Sequence, residues 1–333
     1  MKRFFVHLLV STFLIVVIST ILNATVYQSF DKTPAAGNIL LKEKCDELAG
    51  SDYNLIALGS SKIFRQFDAQ LFSDKCKERG IKAFNMGVDG TYPPETYYAL
   101  QHILSINTNV KYILLEVRAF DAEEYANWHS IRSYYWFNDS RLNDYLRLEN
   151  EQKLPFWRKA FATTGGIIAL LDQNLNLGKG QFCLNQDRLG FPPPESFKNN
   201  QGFVPIVSNE DELPIDSEAY NNMEKISNDA FNEHFANLAY YHLNYLNRLK
   251  EMAAKKNVKL IFVMPDNQKA WMYTQLIPIF NHLQDNEKIV ISSAQKFPQL
   301  YLIANKANLT HLNLKGSEFY TTCMASEFLR ITK

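Results

Sequence analysis

Residues 54–61 read NLIALGSS, a short apolar run that ends in a glycine and two serines. A run of this length that stops at turn residues is typical of a strand buried in a parallel sheet. Similar apolar runs occur at residues 81–86, 110–116, 258–265 and 300–304. Helical patterns lie between or after them, at residues 68–79, 95–106, 235–256 and 317–330. Strands that alternate with helices predict an α/β fold, a three-layer α/β/α sandwich with a flavodoxin-like parallel sheet of about five strands.

Composition and charge exclude several classes of protein. The 333 residues are 46% hydrophobic and 21% charged, which excludes an intrinsically disordered chain. Lysine and arginine total 35, as do aspartate and glutamate, so no global field attracts nucleic acid and none is expected as a partner. Four cysteines lie far apart without a CxxC, which predicts neither a zinc site nor a redox motif. We expect no metal and no cofactor, and the pairing of the cysteines stays open.

The N-terminus predicts a membrane anchor. Lys2 and Arg3 precede an apolar run over residues 4–26, and no charged residue follows until Asp31. This run has about the ~20 residues that a helix needs to cross the hydrocarbon core. A cleaved signal peptide is the alternative, although no clear A-x-A cleavage site follows. We expect an anchor over residues 1–30 with its basic end in the cytoplasm, and the domain of residues 31–333 outside the cytoplasm.

The middle of the chain, residues 122–234, breaks the alternation of strands and helices. It is rich in aromatic residues and in Gly- and Pro-containing turns. We interpret it as an insertion over the sheet edge and not as a second domain with its own core. Its aromatic side chains either pack in the core or present faces on which sugar rings stack.

Three segments bear polar residues where strands of the predicted sheet end. The first is 59–61 (GSS), the second 85–90 (NMGVDG) and the third 308–316 (NLTHLNLKG). A serine at a strand-to-helix turn exposes its hydroxyl beside backbone N–H groups, although a helix N-cap accounts equally for the two serines. The glycines of the second segment allow a close backbone approach to a ligand, or form an ordinary turn. A histidine in the third segment lies where a base can reach a serine of the first.

Read in this order, the segments resemble the SGNH (GDSL-like) hydrolase superfamily. The likeness is carried by LGSSKIFRQFD at 58–68, FNMGVDGTYPPETYYAL at 84–100 and THLNLKG at 310–316. It is closest to membrane-anchored members that acylate envelope polysaccharides, such as alginate O-acetylation and teichoic-acid D-alanylation proteins. The resemblance implies that Ser61 is the nucleophile, with Ser60 in place of the first block's aspartate. It also implies that His311 is the base and that the N–H groups of Ser61 and Gly90 bind the oxyanion.

Two positions depart from the family pattern. The third-block asparagine is absent, and the third strand ends instead in Glu116-Val-Arg118. Arg118 either supplies a cationic donor to the oxyanion or forms an ion pair with Glu116. The aspartate of Asp-x-x-His is Asn308, whose amide can orient His311 but cannot stabilise an imidazolium.

The resemblance predicts a serine-dependent acyl ester hydrolase or acyltransferase that acts on a cell-envelope polysaccharide or acyl ester. The two departures favour an alternative, a weak or inactive SGNH-like module that binds glycan or docks on a membrane-bound O-acyltransferase. Both hypotheses place Ser61 and His311 at the same edge of the sheet. We therefore expect the two side chains to lie within hydrogen-bonding reach.

Overall fold

The computed structural model describes residues 2–25, 38–120, 139–152, 155–175, 196–206 and 217–333. Cys183 and the predicted aromatic cluster around Trp128 and Trp136 lie outside the described residues. The chain divides into two compact units. One comprises Met1–Lys42 and Tyr125–Pro192, and the other comprises Glu43–Glu124 and Pro193–Lys333. The placement of residues 122–234 over the sheet edge stays a prediction.

The larger unit contains a sheet of five parallel strands in the order β2-β1-β3-β4-β5. The strands are β1 (Leu55–Leu58), β2 (Ala83–Asn85), β3 (Tyr112–Glu116), β4 (Lys259–Met264) and β5 (Lys288–Val290). Nearly every strand residue is buried, because helices cover both faces of a parallel sheet. The predicted α/β sandwich with a flavodoxin-like strand order is confirmed. Successive strands are added towards one edge from β1 to β2 and towards the other edge from β3 onwards. The crevice between β1 and β3, where this order changes, is where such folds bind ligands.

The helices that accompany this sheet lie before, between and after its strands. They are α2 (Ile39–Leu48), α3 (Ser61–Gln66), α4 (Ala69–Lys75), α5 (Glu95–Ile106), α8 (Ser196–Asn199), α9 (Ser217–Asn232), α10 (Tyr240–Ala254), α11 (Ala270–His282) and α12 (Leu314–Ile331). The predicted helix at 95–106 is α5 without a shift. The last helix, α12, begins three residues before its predicted start because the Asn313 side chain caps it, accepting a hydrogen bond from Gly316 N at 3.0 Å. The helix packs against α3 and α4.

The fifth strand is not where the sequence predicted it. Residues 300–304 were expected to form a strand but lie in two short 3₁₀ turns, Pro298–Tyr301 and Ile303–Asn305. Pro298, which has no N–H for a ladder, opens the first turn. The position beside β4 is taken by β5, where Ile289 pairs with Val263. Leu302 is consequently 54% exposed, although an inner strand would have buried it.

The smaller unit is helical where the structure describes it. Its long helices are α1 (Lys2–Thr25), α6 (Asp139–Glu151) and α7 (Phe156–Leu175). α7 contacts both α1 and α6. The 24 residues of α1 span about 36 Å at ~1.5 Å per residue, and its apolar side chains are exposed. It is therefore long and apolar enough to cross a membrane.

The three described cysteines, Cys45, Cys76 and Cys323, form no disulfide with one another. Burial raises the pKa of the Cys76 thiol to about 11, which keeps it protonated and unreactive.

A buried lysine ties the loop after β2 to two neighbouring segments. Lys44 of α2 is fully buried, and its Nζ donates to the backbone oxygens of Asn85 at 2.7 Å, Gly87 at 2.7 Å and Gly202 at 2.9 Å. Burial lowers the pKa of this amine well below its ordinary value. Because the Nζ satisfies three carbonyl groups at once, Lys44 fixes the loop that leads to Gly90.

We predict that Lys44→Met lowers the free energy of unfolding by about 2–4 kcal/mol, because it leaves buried carbonyl oxygens without a donor. Chemical denaturation of the full chain measures the change. Lys75→Met, at an exposed lysine of α4, is the matched control and should change stability by less than about 0.5 kcal/mol. Equal effects of the two substitutions would contradict the assignment.

Candidate active site

The two serines after β1 have different roles. Ser60 is the N-cap of α3, and its side chain accepts a hydrogen bond from Lys62 N at 3.3 Å. The helix-cap interpretation therefore holds for Ser60. Ser61 is the first residue of α3, and its side chain is only partly buried. The cap thus leaves the Ser61 hydroxyl accessible at the carboxyl end of β1, an inner strand of the sheet.

Glu116 holds the turn between β1 and α3. Its carboxylate accepts from Ser60 N at 2.6 Å and from Ser60 Oγ at 2.9 Å. The register explains the contact, since Leu58 pairs with Leu115 and the next residues of the two strands therefore lie side by side. Gly59 leaves room for the carboxylate, because a methyl group there would overlap the Glu116 side chain. Sequence reasoning treated Glu116 only as a partner for Arg118, and its contact with Ser60 was missed.

The loop after β2 packs against the same turn. Val88 N donates to Gly59 O at 3.0 Å, and Thr91 Oγ1 donates to the same oxygen at 3.1 Å. Gly90 lies between them with a φ of +67°, a conformation that favours glycine. This arrangement brings the segment of Gly90 next to the segment of Ser61, as the predicted oxyanion site requires.

Arg118 lies against this second loop and is not paired with Glu116. Its guanidinium group sits 4.4 Å from the centre of the Tyr92 ring. Its Nη1 is 3.5 Å from Thr91 O, at the limit of a hydrogen bond. Arg118 therefore contacts Thr91, the residue that follows Gly90 in the loop. Its role as an oxyanion donor stays a prediction.

His311 reaches Ser61 from the far end of the chain. The distance from His311 Nε2 to Ser61 Oγ is 2.8 Å, across 250 residues of sequence. A short hairpin carries the histidine, with Lys306 and Leu312 paired at its base and Ala307 N donating to His311 O at 3.0 Å. The predicted hydrogen-bonding reach between the two side chains is thus observed.

Asn308 determines which ring nitrogen of His311 carries the proton. Its Oδ1 accepts from the backbone N–H groups of Thr310 and His311, both at 3.0 Å, so the amide oxygen and not the nitrogen faces the ring. The same oxygen lies 3.1 Å from His311 Nδ1. The Thr310 hydroxyl lies 3.0 Å from Nδ1 as well, but it donates its own proton to Asn308 Oδ1 at 3.1 Å. Because both neighbouring oxygens then accept at Nδ1, this nitrogen carries the proton. Nε2 then presents its lone pair to the Ser61 hydroxyl, which is the arrangement that a general base needs.

A cluster of charged side chains behind Ser61 was not predicted. Asp266 lies two residues after the end of β4, and its side chain is fully buried. Its carboxylate accepts from Gln66 of α3 at 3.3 Å and lies 3.5 Å from Lys306 Nζ of the histidine hairpin. Lys62 Nζ donates to the backbone oxygens of Asp266 and of Asn267. The cluster therefore joins the helix of Ser61 to the hairpin of His311.

Burial and neighbouring charges weaken protonation in this cluster. Burial lowers the pKa of Lys306 to about 8, although the Asp266 carboxylate opposes the shift. Burial also lowers the pKa of His311 below its ordinary value, and the positive charge of Lys62 lowers it further. His311 is consequently neutral at pH 7, which is the protonation state of a base.

We predict that His311 titrates below the ordinary histidine pKa of about 6.5 and that Lys62→Met raises its pKa. The sign follows because removal of a nearby cation favours the charged imidazolium. NMR titration of the His311 ring protons measures both values. Lys315→Met, on the first turn of α12, is a control that removes an exposed lysine and should leave the His311 pKa in place. A lower His311 pKa in the Lys62→Met variant would contradict the prediction.

Among the described residues, no group of three or more His, Cys, Asp or Glu side chains is arranged to hold a metal ion. A scan of the chain against protein-family models gives no match, and a search of curated proteins gives none either.

Proposed function

We propose that the protein is a serine-dependent acyl ester hydrolase or acyltransferase of the SGNH type, with Ser61 as nucleophile and His311 as base. The observation that carries the proposal is the 2.8 Å contact between Ser61 Oγ and His311 Nε2, with Asn308 holding the proton on Nδ1. A serine hydroxyl is a weak nucleophile unless a base of this kind accepts its proton as it attacks.

The reaction proceeds in two halves. Ser61 Oγ attacks the carbonyl carbon of an ester while its proton moves to His311 Nε2, and the carbonyl oxygen becomes an oxyanion. The C–O bond to the leaving alcohol then breaks, and the imidazolium returns the proton to that alcohol. In the second half, water or a sugar hydroxyl attacks the seryl ester and gives its proton to Nε2. The bond from the acyl carbon to Ser61 Oγ then breaks, and the imidazolium returns the proton to Ser61 Oγ. Water yields hydrolysis, whereas a sugar hydroxyl yields acyl transfer.

Three features of the site support the stabilisation of the oxyanion. Ser61 N is at the amino end of α3, where backbone N–H groups have no partner within the helix. Gly90 lies on the adjacent loop, and the Arg118 cation lies beside that loop. Preorganised donors of this kind each lower the activation free energy by about 3–4 kcal/mol. In this proposal, Ser61 N, Gly90 and Arg118 together take the place of the third-block asparagine of the SGNH pattern.

A cell-envelope polysaccharide is the substrate class that we infer, on the resemblance to envelope-acylating proteins carried by residues 58–68, 84–100 and 310–316. α1 supports the location, because it is long and apolar enough to anchor the chain. Lys2 and Arg3 favour a cytoplasmic N-terminus, with the sheet unit periplasmic or extracellular. A reporter fused to the C-terminus that is active only in the cytoplasm would contradict this orientation.

Asn308 favours a second candidate, a non-catalytic module that binds glycan or docks on a membrane-bound O-acyltransferase. An amide holds the His311 tautomer but supplies no negative charge to the imidazolium. A module of this kind would keep the fold and the contact between Ser61 and His311 without turnover.

Labelling with a fluorophosphonate, which reacts with activated serines, separates the two candidates. The full-length protein should be labelled in detergent, and Ser61→Ala should abolish the label. Ser326→Ala, at an exposed serine of α12, is the matched control and should retain it. Labelling that survives Ser61→Ala would refute the assignment of the nucleophile. A folded protein that is never labelled would favour the binding module.

A further inference from the structure

One face of α7 exposes a row of apolar side chains. Trp157, Phe161, Ile168 and Leu171 recur at intervals of about one or two helical turns and are between 52% and 79% exposed. Phe156 and Ile167 widen the row. The less exposed positions of the same helix, Lys159, Thr163, Gly166 and Leu170, lie on the opposite side. Soluble proteins seldom leave so continuous an apolar face in water.

We propose that this face of α7 lies in the surface of a lipid bilayer. The argument for lipid is its neighbour: α7 contacts α1 within the same compact unit, and α1 is long and apolar enough to cross a membrane. If α1 crosses the bilayer as proposed, its contact with α7 holds α7 at or near the lipid, where the exposed apolar row can meet acyl chains.

The distribution of charge in α7 indicates whether the helix spans the bilayer or lies along its surface. Residues 160–171 contain no charged side chain, but at ~1.5 Å per residue they extend only about 18 Å, too short for the ~30 Å hydrocarbon core. Arg158 and Lys159 lie at one end, and the Arg158 guanidinium is 5.2 Å from the centre of the Trp157 ring. Basic residues beside a tryptophan are typical of the headgroup region. α7 therefore lies in the interface and does not span the bilayer.

Photo-cross-linking in the full-length protein tests the proposal. Phe161 is replaced by p-benzoyl-phenylalanine, and the purified protein is reconstituted into vesicles of phosphatidylcholine and phosphatidylglycerol that contain a radiolabelled lipid. Illumination should give a lipid adduct. The matched control carries the same residue at Thr163, about 200° around the helix, and should give at least tenfold less. Ile168 is a second position on the exposed face and should behave like Phe161.

Further readouts keep the result interpretable. Circular dichroism establishes that each variant folds, and the probe at Phe13 of α1 reports whether the anchor itself is in the bilayer. Adducts at positions 161 and 168, with few at 163, support the interfacial placement. Three outcomes would each overturn it. They are equal adducts at all three positions, adducts with a second copy of the chain, and the absence of a lipid adduct at 161 and 168 when the probe at Phe13 gives one. None of these outcomes depends on catalysis by Ser61.

Discussion

Ser61→Ala lowers kcat/KM for a small acyl ester by about 10⁴-fold or more, which corresponds to at least about 5 kcal/mol of transition-state stabilisation. The reason is geometric, since the Ser61 hydroxyl lies 2.8 Å from His311 Nε2 and forms the bond to the acyl group in the proposed mechanism. Steady-state kinetics of the full-length protein measures the loss. His311→Gln should lower kcat/KM by a similar factor, because without a base the hydroxyl remains a poor nucleophile.

The double variant is the sharper measurement. Ser61→Ala combined with His311→Gln should be no slower than the worse single variant, because residues that act as one unit are not additive. Additive losses would mean that the two side chains act independently and would contradict a shared proton transfer. Ser326→Ala, which leaves the site untouched, controls for the preparation of the protein.

Asn308→Asp raises kcat/KM for the same ester by about 10- to 10²-fold. A carboxylate can accept the hydrogen bonds that Asn308 Oδ1 now accepts from Thr310 N, His311 N and His311 Nδ1. In a chymotrypsin-type triad the reverse change costs about 10⁴-fold, but most of that loss reflects a wrong tautomer. Asn308 already holds the correct tautomer, so only the stabilisation of the imidazolium charge remains to be gained.

Asn313→Asp is the matched control for this gain. It adds the same charge to the same loop, and aspartate still caps α12. It also removes the hydrogen bonds that Asn313 Nδ2 donates to Ala304 O at 2.9 Å and to Lys306 O at 3.4 Å, so the stability of this variant is measured alongside its rate. Asn308→Asp should also raise the pKa of His311, because a carboxylate in contact favours the imidazolium, and the acid limb of the pH profile should move to higher pH. An equal gain from Asn313→Asp would show a general effect of charge. Unchanged rates in both variants would favour the binding module.

The sheet could be predicted because its inner strands are continuous apolar runs, a pattern that only burial on both faces produces. β5 was missed because its three residues, Lys288–Val290, give too short a signal. LYLIA at 300–304 was mistaken for the last strand because it is apolar, although Tyr301 and Leu302 fall in or beside a 3₁₀ turn opened by Pro298. Apolar content alone does not tell an edge strand from a buried turn.

The contact between Ser61 and His311 was predicted from the rule that carboxyl-end loops of parallel strands meet. The rule holds for Ser61, which follows β1, but the strand expected at 300–304 before His311 is replaced by 3₁₀ turns, so the rule does not explain the position of His311. The contacts of Glu116 and Asp266 depend on register and on side-chain packing, which residue spacing does not report. A signal for Asp266 was present, since an acidic residue directly after a buried strand lies at the same edge. Its partners, Gln66 and Lys306, are 200 and 40 residues away, and no local pattern links them to it.

The distance in sequence between nucleophile and base has a consequence for biosynthesis. Ser61 belongs to the first strand-to-helix turn, whereas the hairpin of His311 immediately precedes α12, which packs against α3 and α4 near the end of the chain. The hydroxyl is therefore inert on a nascent chain until residues up to Ile331 have left the ribosome. If the anchor faces the membrane as proposed, that moment falls after translocation has carried most of the chain across. The proposed active site would then be inactive in the compartment where the chain is made and become complete only in the compartment where we propose that it acts.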